Sequence, residues 1–128
     1  MNERSKLDLF KTGEDIAAKH LASNGYVIVC RNFRMRCGEI DLIVEKDQHL
    51  IFVEVKTRTS HSMATALASI SIGKQKKITR TAQEYINLNQ HYSKHYFRFD
   101  VIVVFHNKVS DTFSVQHLKD AFYPVMDY

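Results

Sequence analysis

Hydrophobic positions along this chain follow two rhythms, one helical and one of short unbroken runs. Near the N-terminus Glu14, Ala17, Ala18 and Leu21 recur at i, i+3, i+4 and i+7, the stripe of a helix that buries one side. Thr12-Gly13-Glu14-Asp15 offers a cap residue followed by acids and predicts a helix start near Thr12. Ser5 is the earlier candidate start, because Leu7, Leu9 and Phe10 also read as buried. Asn24-Gly25 predicts the stop. The rhythm then changes. Tyr26 to Cys30, running on toward Phe33, reads as a first strand, Glu39 to Glu45 as a second and Leu50 to Thr57 as a third. Arg34 to Gly38 and Lys46 to His49 are the connections between them.

Arg58 to Ile70 has small residues and no clear period, so a loop is expected there. Ser71 is the predicted cap of a second helix, Ile72 to Asn89, with Gln75, Ile78, Ala82 and Tyr85 as its stripe. Asn87 to Lys94 is polar and breaks that pattern. Phe97 to Phe105 reads as a fourth strand, His106 to Lys108 as a turn and Thr112 to Val115 as a short fifth strand. Leu118 to Phe122 is expected to form a brief helix before Pro124. The order αβββαββ predicts one α/β domain over residues 1–128, a mixed central sheet flanked by a helix on each face.

Composition narrows the class without naming a function. Hydrophobic residues make up 45% and charged residues 25%, an ordinary globular balance. No apolar run approaches the roughly 20 residues that span a bilayer, so no membrane association is expected. Met1 to Lys6 is charged and leads into no apolar core, so no signal peptide is expected and the cytoplasm is the default location. Cys30 and Cys37 lack CxxC spacing, and the seven histidines, Ser60-His61 among their settings, form no zinc-ligand pattern. The net charge of +4 leans toward polyanionic partners.

The third strand carries two charges where an apolar core is expected. In Phe52-Val53-Glu54-Val55-Lys56, alternation puts Glu54 and Lys56 on one face beside Phe52. Residues i and i+2 on a strand lie roughly 7 Å apart, too far for a tight ion pair. The second strand places Asp41 inside its own apolar run. Buried charges are costly unless something binds them. Two carboxylates on neighbouring strands supply the oxygen ligands that Mg²⁺ prefers, and a lysine beside them can orient or help deprotonate a water. Glu14 and Gln75 add a polar group to the sheet-facing stripe of each helix. Read singly, Glu14 is better explained as compensation of the helix dipole and Gln75 as a boundary residue.

These residues resemble a known family. Asp41 followed by Glu54-Val55-Lys56 on the next strand looks like the signature of the PD-(D/E)XK nuclease superfamily. The fuller match is to the bacterial YraN-like family, predicted endonucleases similar to archaeal-type Holliday junction resolvases. Gly13-Glu14, Arg31-Asn32-Phe33-Arg34, Gly38 to Ile43, Phe52 to Arg58, Lys74-Gln75 and Arg98-Phe99-Asp100-Val101 carry it, in the family's order. The resemblance implies a restriction-endonuclease-like core with Glu14, Asp41 and Glu54 as metal-site acids. It implies Lys56 as catalytic lysine, Gln75 as an added polar site residue, and Mg²⁺ as cofactor with Mn²⁺ as a substitute. The chain departs from the family after the lysine strand, where Ser62-Met63-Ala64-Thr65 stands in place of a Phe-Gly and a Pro.

Basic residues gather around the same elements. Lys74, Lys76, Lys77 and Arg80 crowd the start of the second helix, while Arg34, Arg36 and Arg58, with Arg31, lie near the ends of the site strands. A solvated face explains most such runs; beside a metal site they would hold a phosphate backbone. No base-reading motif is present, so backbone or shape recognition is expected. Arg98 and Asp100 read as structural partners. The expectation is a Mg²⁺-dependent endonuclease acting on DNA, duplex or branched, its rivals being a non-catalytic nucleic-acid-binding module and a small phosphoesterase. Resolvase relatives act as dimers, which makes a homodimer an expectation although no interface is legible.

Overall fold

The computed structural model describes residues 5–59 and 62–126. The expectations for Met1 to Arg4 and for Ser60 and His61 lie outside the described residues. Helix α1 (Lys6–Ser23) begins at Ser5, whose hydroxyl accepts from the Asp8 N–H at 3.1 Å, so Thr12 lies inside the helix rather than at its start. It stops at Asn24, and Gly25 turns the chain with φ +86°.

Three antiparallel strands follow: β1 (Val27–Met35), β2 (Gly38–Lys46) and β3 (His49–Arg58). The expected Arg34–Gly38 connection narrows to Arg36-Cys37, because both strands run further than their apolar cores. Asp47 and Gln48 make the second hairpin with φ of 50° and 60°, the left-handed pair that matches strand twist in a two-residue turn. The stretch expected as a loop contains a six-residue helix, α2 (Met63–Ala68), capped by the Ser62 hydroxyl. It is too short to show a period.

Helix α3 (Ile72–Leu88) starts where expected, with the Ser71 hydroxyl accepting from the Lys74 N–H. A 3₁₀ turn (Gln90–Tyr92) leads into β4 (Tyr96–Asn107), which pairs parallel with β3. The last strand, β5 (Thr112–Phe122), pairs antiparallel with β4 and absorbs the segment expected as a terminal helix. That segment hides its strand character behind a bulge. Phe99 pairs with Phe122 but Val101 with Leu118, and Asp120 in the extra stretch has φ 54°.

The five-stranded mixed sheet β1-β2-β3-β4-β5 carries helices on both faces, consistent with a restriction-endonuclease-like core. The observed element order is αβββααββ. One face buries Leu42, Val44, Val53 and Val55 under Ala17 and Leu21 of α1. The other buries Ile40, Ile43 and Phe52 under Ile78, Ala82 and Tyr85 of α3, with Ala66 of α2 beside them. Among the described residues no helix is long and apolar enough to cross a membrane.

Candidate metal centre at the splayed end of the sheet

The ladder between β2 and β3 runs from Lys46 and His49 to Leu42 and Val53, and ends there. Asp41 is the first residue beyond it. Its Oδ2 accepts from the Val55 N–H at 2.8 Å, so a carboxylate takes the place of the next ladder carbonyl. β3 meanwhile stays paired with β4 as far as Arg58. Glu54, Val55 and Lys56 therefore lie on a strand paired on one side, with Asp41 across the opening. The site exists because these two strands part.

The electrostatics mark a cluster short of positive charge. Burial, followed by the Asp41 carboxylate, pushes Glu54 up to about 8, and its Oε1 is buried with no hydrogen-bond partner. Burial also raises Asp41; the Val55 N–H and the Lys56 ammonium pull the other way. Lys56 is pushed below the usual lysine range, first by burial and then by the Lys74 ammonium. Glu54 and Lys56 influence each other through space rather than by a side-chain hydrogen bond. That agrees with their i, i+2 spacing, which is too wide for a tight pair.

Glu14 joins from the other side. It is 5% exposed and sits well past the first turn of α1, so compensation of the helix dipole does not account for it. Burial first, then Asp41, raises its pKa, and its Oε1 also lacks a partner. Gly13 makes this approach possible: a Cβ there would overlap the Thr57 Oγ1 on β3. Thr57 Oγ1 is itself buried without a hydrogen-bond partner. The sequence includes Thr57 in the stretch that carries the resemblance but gives it no role; a glycine on the buried stripe of a helix is the available signal for a close approach.

Asp41 is the common neighbour of the two glutamates. Glu14 comes from the α1 face, whereas Glu54 alternates with Phe52 on the α3 face. Among the described residues no three His, Cys, Asp or Glu side chains converge closely enough to hold a metal ion alone. The expected set of Glu14, Asp41 and Glu54 is thus not closed by protein ligands. Asp41 and Glu54 still fit a hard divalent cation, with oxygen donors, an orphaned buried carboxylate oxygen and raised pKa values. Mg²⁺ is commonly held by one or two carboxylates plus waters and substrate phosphate.

The remaining expected residues divide. Lys74 lies close enough to influence both Glu54 and Lys56. Gln75 is half-buried, and its amide Nε2 donates to the Ile70 carbonyl at 3.1 Å, which ties the start of α3 to the preceding loop. Its Nε2 is thus turned toward the backbone. Lys77 packs on the β1–β2 hairpin, where a Cβ on Gly38 would stand 3.4 Å from its own Cβ. Lys76 and Arg80 are exposed on α3. Arg34 is exposed and pairs with Glu39 at 3.4 Å, Arg36 is exposed in the hairpin turn, and Arg31 is drawn to Asp15 at 2.7 Å. Arg58 donates to the Thr57 carbonyl and the Ser69 hydroxyl.

Asp100 stands apart from this site. It is fully buried and accepts from Arg98 Nε and Nη2 and from the Asp120 N–H, with His117 Nε2 at 2.7 Å. Burial alone would raise its pKa; the His117 and Arg98 hydrogen bonds outweigh it and hold the carboxyl below its usual range. The bulge in β5 delivers the Asp120 N–H. Asp100 is a brace between β4 and β5.

A family model described as "Uncharacterised protein family UPF0102" matches residues 13–104. A UPF0102 protein of Clostridium botulinum (strain Loch Maree / Type A3) is 43% identical over 115 residues, covering 90% of this chain and 94% of its own length. Another, of Clostridium tetani (strain Massachusetts / E88), is 41% identical over 122 residues, 95% and 98% of the two chains. Among solved structures, "The structure of Pyrococcus Furiosus SfsA in complex with Ca2+" is 15% identical with a TM-score of 0.39, and the match covers 87% of this chain and 62% of that one. The family match opens at Gly13, takes in Asp41, Glu54 and Lys56, and closes on β4; this chain belongs to UPF0102, the YraN-like group of PD-(D/E)XK type.

Proposed function

We propose that this chain is a Mg²⁺-dependent endonuclease that hydrolyses phosphodiester bonds in DNA, with branched or otherwise structured DNA as its substrate. One observation carries the reading: Asp41, Glu54 and Lys56 meet where β2 and β3 part, with a carboxylate oxygen left unpartnered in the opening. A bound Mg²⁺ or Mn²⁺ supplies charge for the phosphate oxygens and acidity for water at the site.

The protein's own groups have separable tasks. Asp41 and Glu54 hold the ion, with Asp41 fixed in place by the Val55 N–H. Lys56, its grip on a proton weakened by burial and by Lys74, takes up or orients the proton of the attacking water. Lys74 and Arg58 add positive charge for a phosphate oxygen as negative charge builds on the scissile group. Glu14 stands beside Asp41 on the α1 side, where the Asp41 charge helps to raise its pKa. The acids give a reason for the buried lysine that a purely structural sheet does not.

A non-catalytic binding module that keeps the fold draws on one fact, that the acids do not close a three-ligand set. The deciding experiment is an endonuclease assay on duplex, single-stranded, flap and four-way-junction DNA, with and without Mg²⁺ or Mn²⁺. Cleavage that needs the metal is expected on at least one substrate. Binding without cleavage on every member of the panel would replace the enzyme with the binding module.

A further inference from the structure

Two residues that read as buried from the sequence are on the surface: Leu7 is 77% exposed and Phe10 is 45% exposed. They belong to the opening turns of α1, before Gly13 brings the helix down onto β3. Between those turns and the end of β3 runs a cleft of about 330 Å³, lined by Lys6, Leu9, Phe10, Lys56, Thr57 and Arg58. Lys56 is among its lining residues. The cleft's volume is that of a small-ligand site, which typically measures about 300–1,000 Å³. Leu9 and Phe10, with Val55, give it an apolar wall, and Lys6, Lys56 and Arg58 add three cations to a remainder that is neutral threonine.

We infer that this cleft receives one unpaired nucleotide of the DNA strand, its base stacked on Phe10 and its phosphate held by Lys6 and Arg58. The inference rests on the nuclease reading and sharpens it, because it names the substrate class as DNA with an unpaired nucleotide beside the scissile phosphate. Three observations favour that occupant. The cations complement a phosphodiester and not an apolar peptide. An aromatic face beside a basic track is the arrangement that binds single strands without reading sequence. Lys56 is also one of the cleft's lining residues, which places the cleft beside the β3 segment that carries the metal-site acid Glu54 and within one nucleotide's reach of it. A fully paired duplex keeps its bases stacked inside the helix and leaves the ring unused.

Equilibrium binding in EDTA, free of turnover, tests this on three DNAs of one sequence: a blunt duplex, the duplex with an unpaired arm, and the arm alone. A 2-aminopurine at the junction reports stacking. The unpaired arm is expected to bind about tenfold or more tightly than the blunt duplex, with quenching of the probe. Phe10→Ala should remove that preference and the quenching while leaving duplex binding unchanged. Phe10→Trp should keep both, and its melting temperature checks the fold independently. Equal binding of blunt and armed DNA by the parent, or an unchanged preference in Phe10→Ala, overturns the cleft assignment and leaves the nuclease reading standing. No binding to any of the three removes DNA as the substrate and the inference with it. Intact preference in a protein that never cleaves retains the cleft and rejects the enzyme.

Discussion

At Lys56, burial and the Lys74 ammonium weaken the hold on a proton, and no hydrogen bond to Glu54 restores it. Lys56→Ala is therefore expected to keep the fold and DNA binding and to lose cleavage by about 10²–10⁴. A structural ion pair would instead leave an uncompensated carboxylate and cost about 3–5 kcal/mol, visible as a large fall in melting temperature. The geometry favours the first outcome. Asp41 has two tasks that one substitution separates: Asp41→Asn retains an acceptor for the Val55 N–H but removes the charge. Calorimetric titration with Mn²⁺ should lose its signal while the melting temperature holds; an unchanged isotherm would move the ion elsewhere. Glu54 makes the metal-free protein pH-sensitive. Its folded pKa of about 8 lies above the ordinary 4.5, so the folded state holds the proton more tightly than the unfolded chain. The unfolded chain releases it first as pH rises, so the contribution of Glu54 to stability is greatest below about 4.5, falls through the window and levels off above about 8. Asp41, shifted the same way, adds to the fall at the acid end. Melting in EDTA across that range should show the decline, and Glu54→Gln should flatten it. Asp41, Glu54 and Lys56 are legible in the sequence because charge inside an apolar run is anomalous. The exposure of Phe10 is not, because an apolar residue on a helix looks the same whether it faces a core or a cleft.

Among the elements, α1 is placed by one close approach that has no slack. The missing side chain at Gly13 leaves room for Thr57, and with Ala there either the Thr57 side chain or the helix must shift. Gly13→Ala is expected to destabilise by about 1–3 kcal/mol and to reduce cleavage further, since Glu14 moves with the helix. Thr57→Ala removes the overlapping hydroxyl and the methyl at 3.3 Å, leaving only Cβ at 3.1 Å, so the double variant should regain most of that loss. Additive losses would show that the two residues do not touch. The same elements show where sequence patterns stop being informative. β2, β3 and α3 are readable because their apolar runs and stripe are long and their turns and caps are local. α2 is not, since six residues make fewer than two turns of stripe. β5 reads as two pieces because its bulge breaks the alternation, and the Asp100 brace that requires the bulge acts across strands. Local chemistry predicts the longer local structures, and the misses are an element too short to show a period and a strand shaped by a contact across the sheet.

Over the whole molecule, the ends of the sheet differ in charge arrangement more than the net +4 suggests. β1 and β3 finish, and β2 starts, at the end that holds Asp41 and Glu54. Arg36, Arg58, Lys74 and Lys77 gather around that end, while Arg31 and Arg34 there are engaged with Asp15 and Glu39. A phosphate backbone laid across the opening would displace counterions chiefly against α3, where Lys74 and Lys77 stand one turn apart on the site side. Lys76→Ala with Lys77→Ala tests this without touching the acids, and alanine keeps the Lys77 Cβ that packs near Gly38. Affinity for duplex DNA should fall, and the slope of log affinity against log salt should shrink by about 0.9 for each phosphate that the variant no longer neutralises. Lys94 is the control. It is exposed just before β4, at the opposite end of the sheet, and carries the same formal charge. Lys94→Ala should leave the slope unchanged. Were it to lower the slope as much per charge as the α3 variant, net charge alone would be attracting DNA, and the basic face of α3 would be solvated surface. A reduced slope confined to the α3 variant would put the DNA backbone across the opening between β2 and β3, within reach of Lys56.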